Sequence, residues 1–243
     1  MSRFYVPKES IEGRRIVIHG KEAHHILDVM RLKVMDKVVT FDGTGKEYSG
    51  IIREADARSL VVEITDTRML LSDKKVSITL IQAIPKKEKM DYIIEKGTEL
   101  GVDVIMPVIS ERTIVDWDEK KKASSVDRWK RIALEASKQC GRADIPEIGA
   151  IRKFSDAITR SGSFDLAMIA ALSEGAVSLK DALADFGSGK AVIAIGPEGD
   201  FVPSEIRSAK DAGFKLINLG ARVLKSDTAG LAVLAIMSYE FSS

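Results

Sequence analysis

A chain of 243 residues with 45% hydrophobic side chains has enough apolar mass for one large domain, or for a small and a medium one. Lys and Arg number 37 against 36 Asp and Glu, so the net charge of +1 excludes a uniformly basic chain, and any polyanion contact must come from local clustering. The single cysteine, Cys140, excludes an internal disulfide framework; no apolar run reaches membrane-spanning length and Met1-Ser2-Arg3-Phe4-Tyr5 has no apolar signal core, so the expectation is a soluble, cytoplasmic protein with no membrane partner.

Residues 1–70 read as short β-branched strands: Arg15–Ile18, Lys37–Phe41, Tyr48–Ile52 and Leu60–Ile64, split by turns such as Asp42-Gly43-Thr44-Gly45. One helical stretch, around Glu22 to Met30, interrupts them. Short strands with frequent turn signals predict a small barrel. Leu71-Ser72-Asp73-Lys74-Lys75 reads as the linker, 71–75.

From residue 76 to 243 the rhythm becomes strand, helix, strand, helix. Strands are predicted at Val76–Ile84, Val104–Val108, Leu166–Ala171, Ala191–Ile195 and Phe214–Leu219. Helices are predicted at Lys89–Leu100, stopped by Gly101, and along the stripe Val126, Trp129, Ile132, Ala133, Ala136 up to Gly141. Others fall near Ser178–Ala184, Pro203–Ala212 and Ser226–Tyr239. Such alternation implies an α/β domain with a parallel sheet covered on both faces. The last helix is apolar on every side from Ala229 to Met237, so it must be covered by a partner subunit or by the chain's own loops.

Two loops follow strands in this half and precede helices: Gly196-Pro197-Glu198-Gly199-Asp200-Phe201, and Leu219 through Thr228. Glycine-rich turns at the carboxyl ends of neighbouring parallel strands form a crevice where backbone can touch a small ligand. In the second loop Gly220 permits the turn and Arg222 supplies a forked cation. Ser226, Asp227 and Thr228 can cap the following helix. A plain cap explains Ser226 and Asp227. It does not explain an Arg and a Lys just ahead of a wholly apolar helix.

Arg128, Lys130, Arg131, Lys138 and Arg142 cluster around one helix and its end, and Arg3, Lys8, Arg14, Arg15, Arg31, Lys33 and Lys37 dot the first half. Such runs are commonly solvated faces, and phosphate contact is the reading favoured because both halves offer it. His24 and His25 are adjacent and point apart on a helix, so no metal site is expected, and either ring suits a cap, a packed position or an RNA contact. Gly187-Ser188-Gly189-Lys190 fails as a phosphate loop, because Ala184 and Ala191 stand at its defining positions and it precedes a strand. No nucleophile elbow and no His-Glu-x-x-His is present.

The Gly-Pro-Glu-Gly loop followed by Leu-Gly-x-Arg-x-Leu-x-x-Asp-Thr-Ala resembles the SPOUT superfamily of S-adenosylmethionine-dependent RNA methyltransferases. Lys89-Met90-Asp91 through Glu99-Leu100-Gly101, Glu135-Ala136-Ser137-Lys138-Gln139-Cys140-Gly141-Arg142, Arg3-Phe4-Tyr5 and His24 through Leu32 narrow the likeness, over nearly the whole length, to the ribosomal RNA small subunit methyltransferase E family.

The resemblance implies a PUA-like β-barrel that binds RNA (1–70) and a trefoil-knotted α/β methyltransferase domain (76–243), dimeric through the knot. It implies S-adenosylmethionine as cofactor, no metal, and methyl transfer to N3 of one uridine in the small-subunit ribosomal RNA. Leu172, Gly196, Pro197, Gly199, Leu219, Gly220, Leu224 and Thr228 would hold the cofactor. Arg222 and Arg142 would act on the uracil, and Arg3, His25, Arg31 and Arg142 would bind the RNA.

The chain departs from the family pattern at Val202, where a Ser or Thr cap is usual and its loss costs about 1 kcal/mol of local helix stability. It departs also at Lys225 and Asp227, which replace Arg and Glu. Methylation at N3 requires that nitrogen to lose its proton, and a guanidinium at the carbonyl oxygens would stabilise the resulting charge. Glu198, Asp227 or solvent would take the proton. A relative acting on another RNA base or ribose, and a non-catalytic assembly factor, are the alternative readings.

Overall fold

The computed structural model of the protein describes residues 3–70, 75–115, 117–159 and 161–241. Contacts divide the chain into two compact units, Met1–Asp73 with Leu134–Ile145, and Lys74–Ala133 with Pro146–Ser243. The expected linker at 71–75 lies outside the described residues except for Lys75. The contact grouping differs from the chain-order boundaries at 134–145, which join the first unit.

The first unit carries β1 (Arg3–Tyr5), β2 (Ile11–Glu12), β3 (Arg15–His19), β4 (Lys37–Phe41), β5 (Lys46–Ala55) and β6 (Ser59–Met69) in one sheet, ordered β1-β4-β5-β6-β3-β2. Only the β1–β4 pair is parallel. The sheet is open: β1 and β2 end it with no ladder joining them among the described residues, where a closed small barrel was expected. Alternating residues of β3, β5 and β6 (Ile16, Ile52, Leu60, Val62) turn to one core with Phe4 and Ile26.

The helix expected at Glu22–Met30 begins two residues earlier, at Gly20, and widens midway. Helix α1 (Gly20–His24) passes into a π turn, His25–Val29, closed by Met30 N–H donating to His25 O at 2.9 Å. The returning segment 134–145 is tied in by backbone. Gly45 N–H donates to Ala143 O at 3.0 Å and Ile145 N–H to Gly43 O at 3.2 Å. Lys138 Nζ lies 2.7 Å from Glu22 Oε1.

The second unit is a parallel sheet of β7 (Val76–Ala83), β8 (Val104–Ile109), β9 (Glu147–Ile148), β10 (Arg152–Lys153), β11 (Leu166–Ala170), β12 (Val177–Ser178), β13 (Gly189–Ile195) and β14 (Lys215–Asn218). Its order is β10-β8-β7-β13-β11-β14-β12, with β9 also paired to β8. Strand β13 therefore enters between β7 and β11, which precede it in the chain. The central strands are apolar on both faces, as parallel strands under helices must be.

The helices are α2 (Lys89–Glu99), α3 (Glu119–Cys140, whose residues from 134 onward belong to the first unit), α4 (Phe154–Ile158), α5 (Leu179–Leu183), α6 (Pro203–Asp211) and α7 (Ser226–Phe241). None of the described helices is long and apolar enough to cross a membrane. The five-residue α4 was not expected. It is held by Phe154, whose ring stacks on Phe201 at 4.3 Å between centroids.

Helix α7 buries one stripe, Ser226, Ala229, Gly230, Val233, Leu234 and Met237, at helical spacing. Gly230 leaves room for Gln82, since a Cβ there would lie 2.9 Å from Gln82 Oε1 and force one of the two to shift. The other side stays open within this chain, with Ile236 46% and Tyr239 86% exposed. Burial all round, expected from composition, is thus half met by the chain itself.

The first unit also buries a polar knot of its own. Asp42 Oδ2 accepts from Tyr48 Oη at 2.9 Å, and Oδ1 accepts from Thr44 N at 2.9 Å and Thr44 Oγ1 at 2.7 Å. Burial pushes the Asp42 carboxyl up, but the bonds from Thr44, Tyr48 and Lys46 outweigh it and hold it below the ordinary value. Burial, then the bond to Asp42 and its charge, push the Tyr48 phenol up from 10.0 to about 12. Folding therefore retains the Tyr48 proton, and the stability this contributes is intact below pH 10 and lost as pH climbs through about 12. On alkaline titration by ultraviolet absorbance, Tyr48 should ionise late, and the late step should vanish in Tyr48→Phe. That variant should lose about 1–3 kcal/mol at neutral pH by urea unfolding, because Asp42 is left short of a buried donor.

Candidate functional site

Strands β11, β13 and β14 stand side by side and end together at Ala170, Ile195 and Asn218. The loops that leave them enclose a cleft of about 250 Å³. This is the crevice that parallel sheets form at a reversal of strand order. Leu172 enters it from the first loop, Gly196, Pro197 and Glu198 from the second, and Leu219, Gly220 and Leu224 from the third. Gly220 has φ +106°, a conformation that side chains resist, which explains the glycine at that turn.

A buried hydroxyl fixes the loops to one another. Ser226, at the start of α7, donates from Oγ to Gly196 O at 2.5 Å, and accepts from Gln82 Nε2 at 2.9 Å. Gln82, fully buried at the end of β7, also donates to Ala83 O at 3.0 Å. The end of β7, the loop after β13 and the start of α7 thus share one atom.

A second tie lies nearer solvent. Lys89 Nζ sits 3.0 Å from Asp227 Oδ1 and 3.6 Å from Glu198 Oε1, and Glu198 Oε1 also accepts from Lys86 N at 3.1 Å. The Asp227 hydrogen bond, against partial desolvation and with the charges of Asp227 and Glu198, pushes the Lys89 ammonium above its ordinary value. Both carboxylates that the sequence offered as proton acceptors are therefore held by one ammonium, and their visible work is to hold the two loops together.

The cleft gathers six of the eight residues expected to touch a cofactor: Leu172, Gly196, Pro197, Leu219, Gly220 and Leu224. The other two do not line it. Thr228 is exposed on the far side of the first turn of α7, with Ser226 and Ala229 taking the inward places. The carbonyl of Gly199 turns to Arg112, whose Nη1 donates to it at 2.5 Å. Val223 also lines the cleft and had not been singled out.

Arg222 lines the cleft and is exposed, with no partner among the described residues. Arg142 belongs to the first unit and is paired with Asp144, at 3.2 Å from Nε to Oδ1. Arg3 is likewise committed: it pairs with Glu47 at 2.7 Å, donates to Gly141 O and lies over the Phe41 ring. Both guanidiniums thus already have acidic partners within the first unit. His25 meets Phe4 edge-on at 5.6 Å, a half-buried packed ring, while Arg31 is exposed at φ +56°.

Within the helix cluster, Arg128 is taken by Asp91 at 2.5 Å and Lys138 by Glu22. Among the described residues no three His, Cys, Asp or Glu side chains gather as a metal site; His24 Nδ1 faces Asp28 Oδ2 at 2.6 Å.

Comparison with known proteins places these features. Residues 72–238 match the RNA methyltransferase domain family, and residues 18–65 match the RNA methyltransferase PUA domain. The chain is 31% identical to ribosomal RNA small subunit methyltransferase E of Aquifex aeolicus, over 98% of this chain and 99% of that one. It is 29% identical to the protein of the same name from Bacillus subtilis, over 99% and 97%. Among solved structures it is similar to a ribosomal RNA small subunit methyltransferase E from Neisseria gonorrhoeae bound to S-adenosyl methionine, at 32% identity and a TM-score of 0.85, covering 98% of this chain and 96% of that one.

The shared Ser226 hydroxyl sets a measurable cost. Ser226→Ala strands the buried Gln82 amide and the Gly196 carbonyl, and should lower unfolding free energy by about 1–3 kcal/mol in urea. Ser226→Thr, which keeps the hydroxyl, should recover most of it.

Proposed function

The chain belongs to the ribosomal RNA small subunit methyltransferase E family, and from this we infer that it transfers a methyl group from S-adenosylmethionine to ribosomal RNA of the small subunit. The observation that carries the reading is the cleft at the ends of β11, β13 and β14. Its apolar side chains Leu172 and Val223 stand 68% and 72% exposed at the mouth, ready to be covered by a ligand. A nucleoside with a sulfonium-bearing amino-acid tail suits such a wall: apolar faces for the ring and chain, loop backbone for the polar edges. Leu172, Gly196, Leu219, Gly220 and Leu224 are the residues we assign to hold it. When bound, S-adenosylmethionine supplies an electrophilic methyl on a sulfonium.

We propose uridine N3 as the acceptor, as the family likeness implies. That nitrogen carries a proton at neutral pH and lies on the Watson–Crick edge, so the base must be unpaired to be reached. As N3 loses its proton, charge spreads to the two carbonyl oxygens. Arg222 and Lys225 both line the cleft without an ion-pair partner among the described residues, and the forked guanidinium of Arg222 suits a charge spread over two oxygens, which makes it our catalytic candidate. The PUA match supports RNA binding by the first unit, with Arg31 its open cation and His25 a lesser contact.

The finer architecture follows the same reading. A trefoil knot is supported by the insertion of β13 between β7 and β11, and by the burial of Ser226 between Gln82 and Gly196. A homodimer is supported by the apolar side of α7 that this chain leaves open. Ile236→Glu should therefore convert the protein to monomer in sedimentation velocity while leaving the folded monomer intact. A wild-type protein that already sediments as monomer would remove the dimer.

The decisive experiment incubates the protein with methyl-labelled S-adenosylmethionine and small ribosomal subunits lacking the modification, then locates the label by mass analysis of nucleosides. N3-methyluridine is the expected product. Label on a ribose or another base would move the protein to the alternative specificity. No label, with no cofactor binding by calorimetry, would leave the assembly-factor reading. In the same assay Arg222→Ala should slow turnover on saturating subunits by about 10²–10³ with cofactor affinity kept.

A further inference from the structure

Beside the cleft lies a second groove of about 370 Å³, and the two share Leu172 and Asp200 as their dividing wall. Its floor is apolar, with Phe201 and Leu216 buried beneath it. Its edge is basic: Arg112, Arg207 and Lys210 line it against the one carboxylate of Asp200. That carboxylate is fully engaged, Oδ2 accepting from Leu172 N at 2.9 Å and Oδ1 from Phe201 N at 2.7 Å. Arg112 is steadied by its bond to Gly199 O.

Arg207 and Lys210 are different. Three residues apart on α6, they lie on one side of the helix, both exposed, and among the described residues neither has an ion-pair partner. Like charges at that spacing repel one another. The N-terminus of α6 does not supply the groove's attraction for anions, since Val202 N–H is taken by Glu205 Oε2 at 3.0 Å. The free positive charge is in the side chains, at the edge of a groove that opens beside the cleft.

We propose that this groove receives the phosphate backbone of the substrate RNA next to the nucleotide being methylated, with Arg207 and Lys210 as phosphate contacts. The proposal rests on the RNA methyltransferase reading above. A base drawn into the cleft leaves its neighbours outside, and the adjoining groove gives their backbone a positively charged track. Contacts of this kind set affinity and register without reading sequence.

The test uses full-length protein carrying Arg207→Gln and Lys210→Gln together, with a fluorescein-labelled oligouridylate as binding probe and small ribosomal subunits as substrate. Oligouridylate affinity at low salt should fall at least about tenfold, and the slope of log affinity against log salt should flatten by about 1.4, the share of two single-strand phosphates. The KM for subunits should rise while turnover at saturation and cofactor affinity by calorimetry hold. Arg207→Lys with Lys210→Arg, which keeps both charges, should restore the wild-type slope.

Unchanged affinity and slope in the double Gln variant would overturn the proposal. So would dissociation of an oligomer in that variant, which would mark the groove as a contact between copies of the chain. Wild-type protein that binds oligouridylate but transfers no methyl group would instead overturn the enzyme reading, and this proposal with it, through a separate arm of the experiment.

Discussion

One buried hydroxyl governs the geometry of the candidate site. Ser226 Oγ is shared by Gln82 and Gly196, so a strand end, a loop and a helix start that lie far apart in the chain cannot move independently. In a dry interior neither partner can turn to water for its bond, which makes the arrangement all-or-none. Gly230, one turn further along α7, lets the helix come close enough to Gln82 for that bond to form. The cleft is then a consequence: its two glycine-rich loops are held apart by the strands beneath them and held together by Ser226 inside and Lys89 outside.

Much of this was legible in the chain. The parallel sheet follows from apolar runs such as Val76–Ala83 and Gly189–Ile195 alternating with amphipathic helices, because a strand buried on both faces has no polar positions to alternate. The two loops announced themselves by glycine at strand ends. The assignment of side chains within them was less legible. Ser226, Asp227 and Thr228 all suit a helix start, and composition does not choose between them. The helical step of about 100° per residue does: with Ala229, Gly230 and Val233 facing inward, Ser226 joins them and Thr228 is turned away. The strands β9, β10 and β12 have two residues each and carry no period to read.

Charge was the least legible property. Basic residues cluster in the sequence around α3 and in the first half, yet Arg3, Arg128, Lys138 and Arg142 each meet a carboxylate that lies from two to over a hundred residues away in the chain. A count of cations along a sequence cannot see such cancellation, since it depends on the fold bringing the acids in. Several cations keep no acidic partner among the described residues, Arg31, Arg207, Lys210, Arg222 and Lys225 among them, and Arg207 and Lys210 gain their weight only as neighbours on one side of α6. What a polyanion would feel is this remainder.

The first unit is assembled from two stretches of chain with about sixty residues between them, and this governs how the protein can be made. Closing an intervening loop of that length costs a few kcal/mol of chain entropy before any contact repays it. On a ribosome, β1 to β6 emerge well before Ala143 and Ile145 exist to cap the turn at Gly43–Gly45. A gene fragment cut after the last strand of the sheet would therefore encode an unfinished body, and its completion during synthesis must wait until a good part of the methyltransferase half has already been translated.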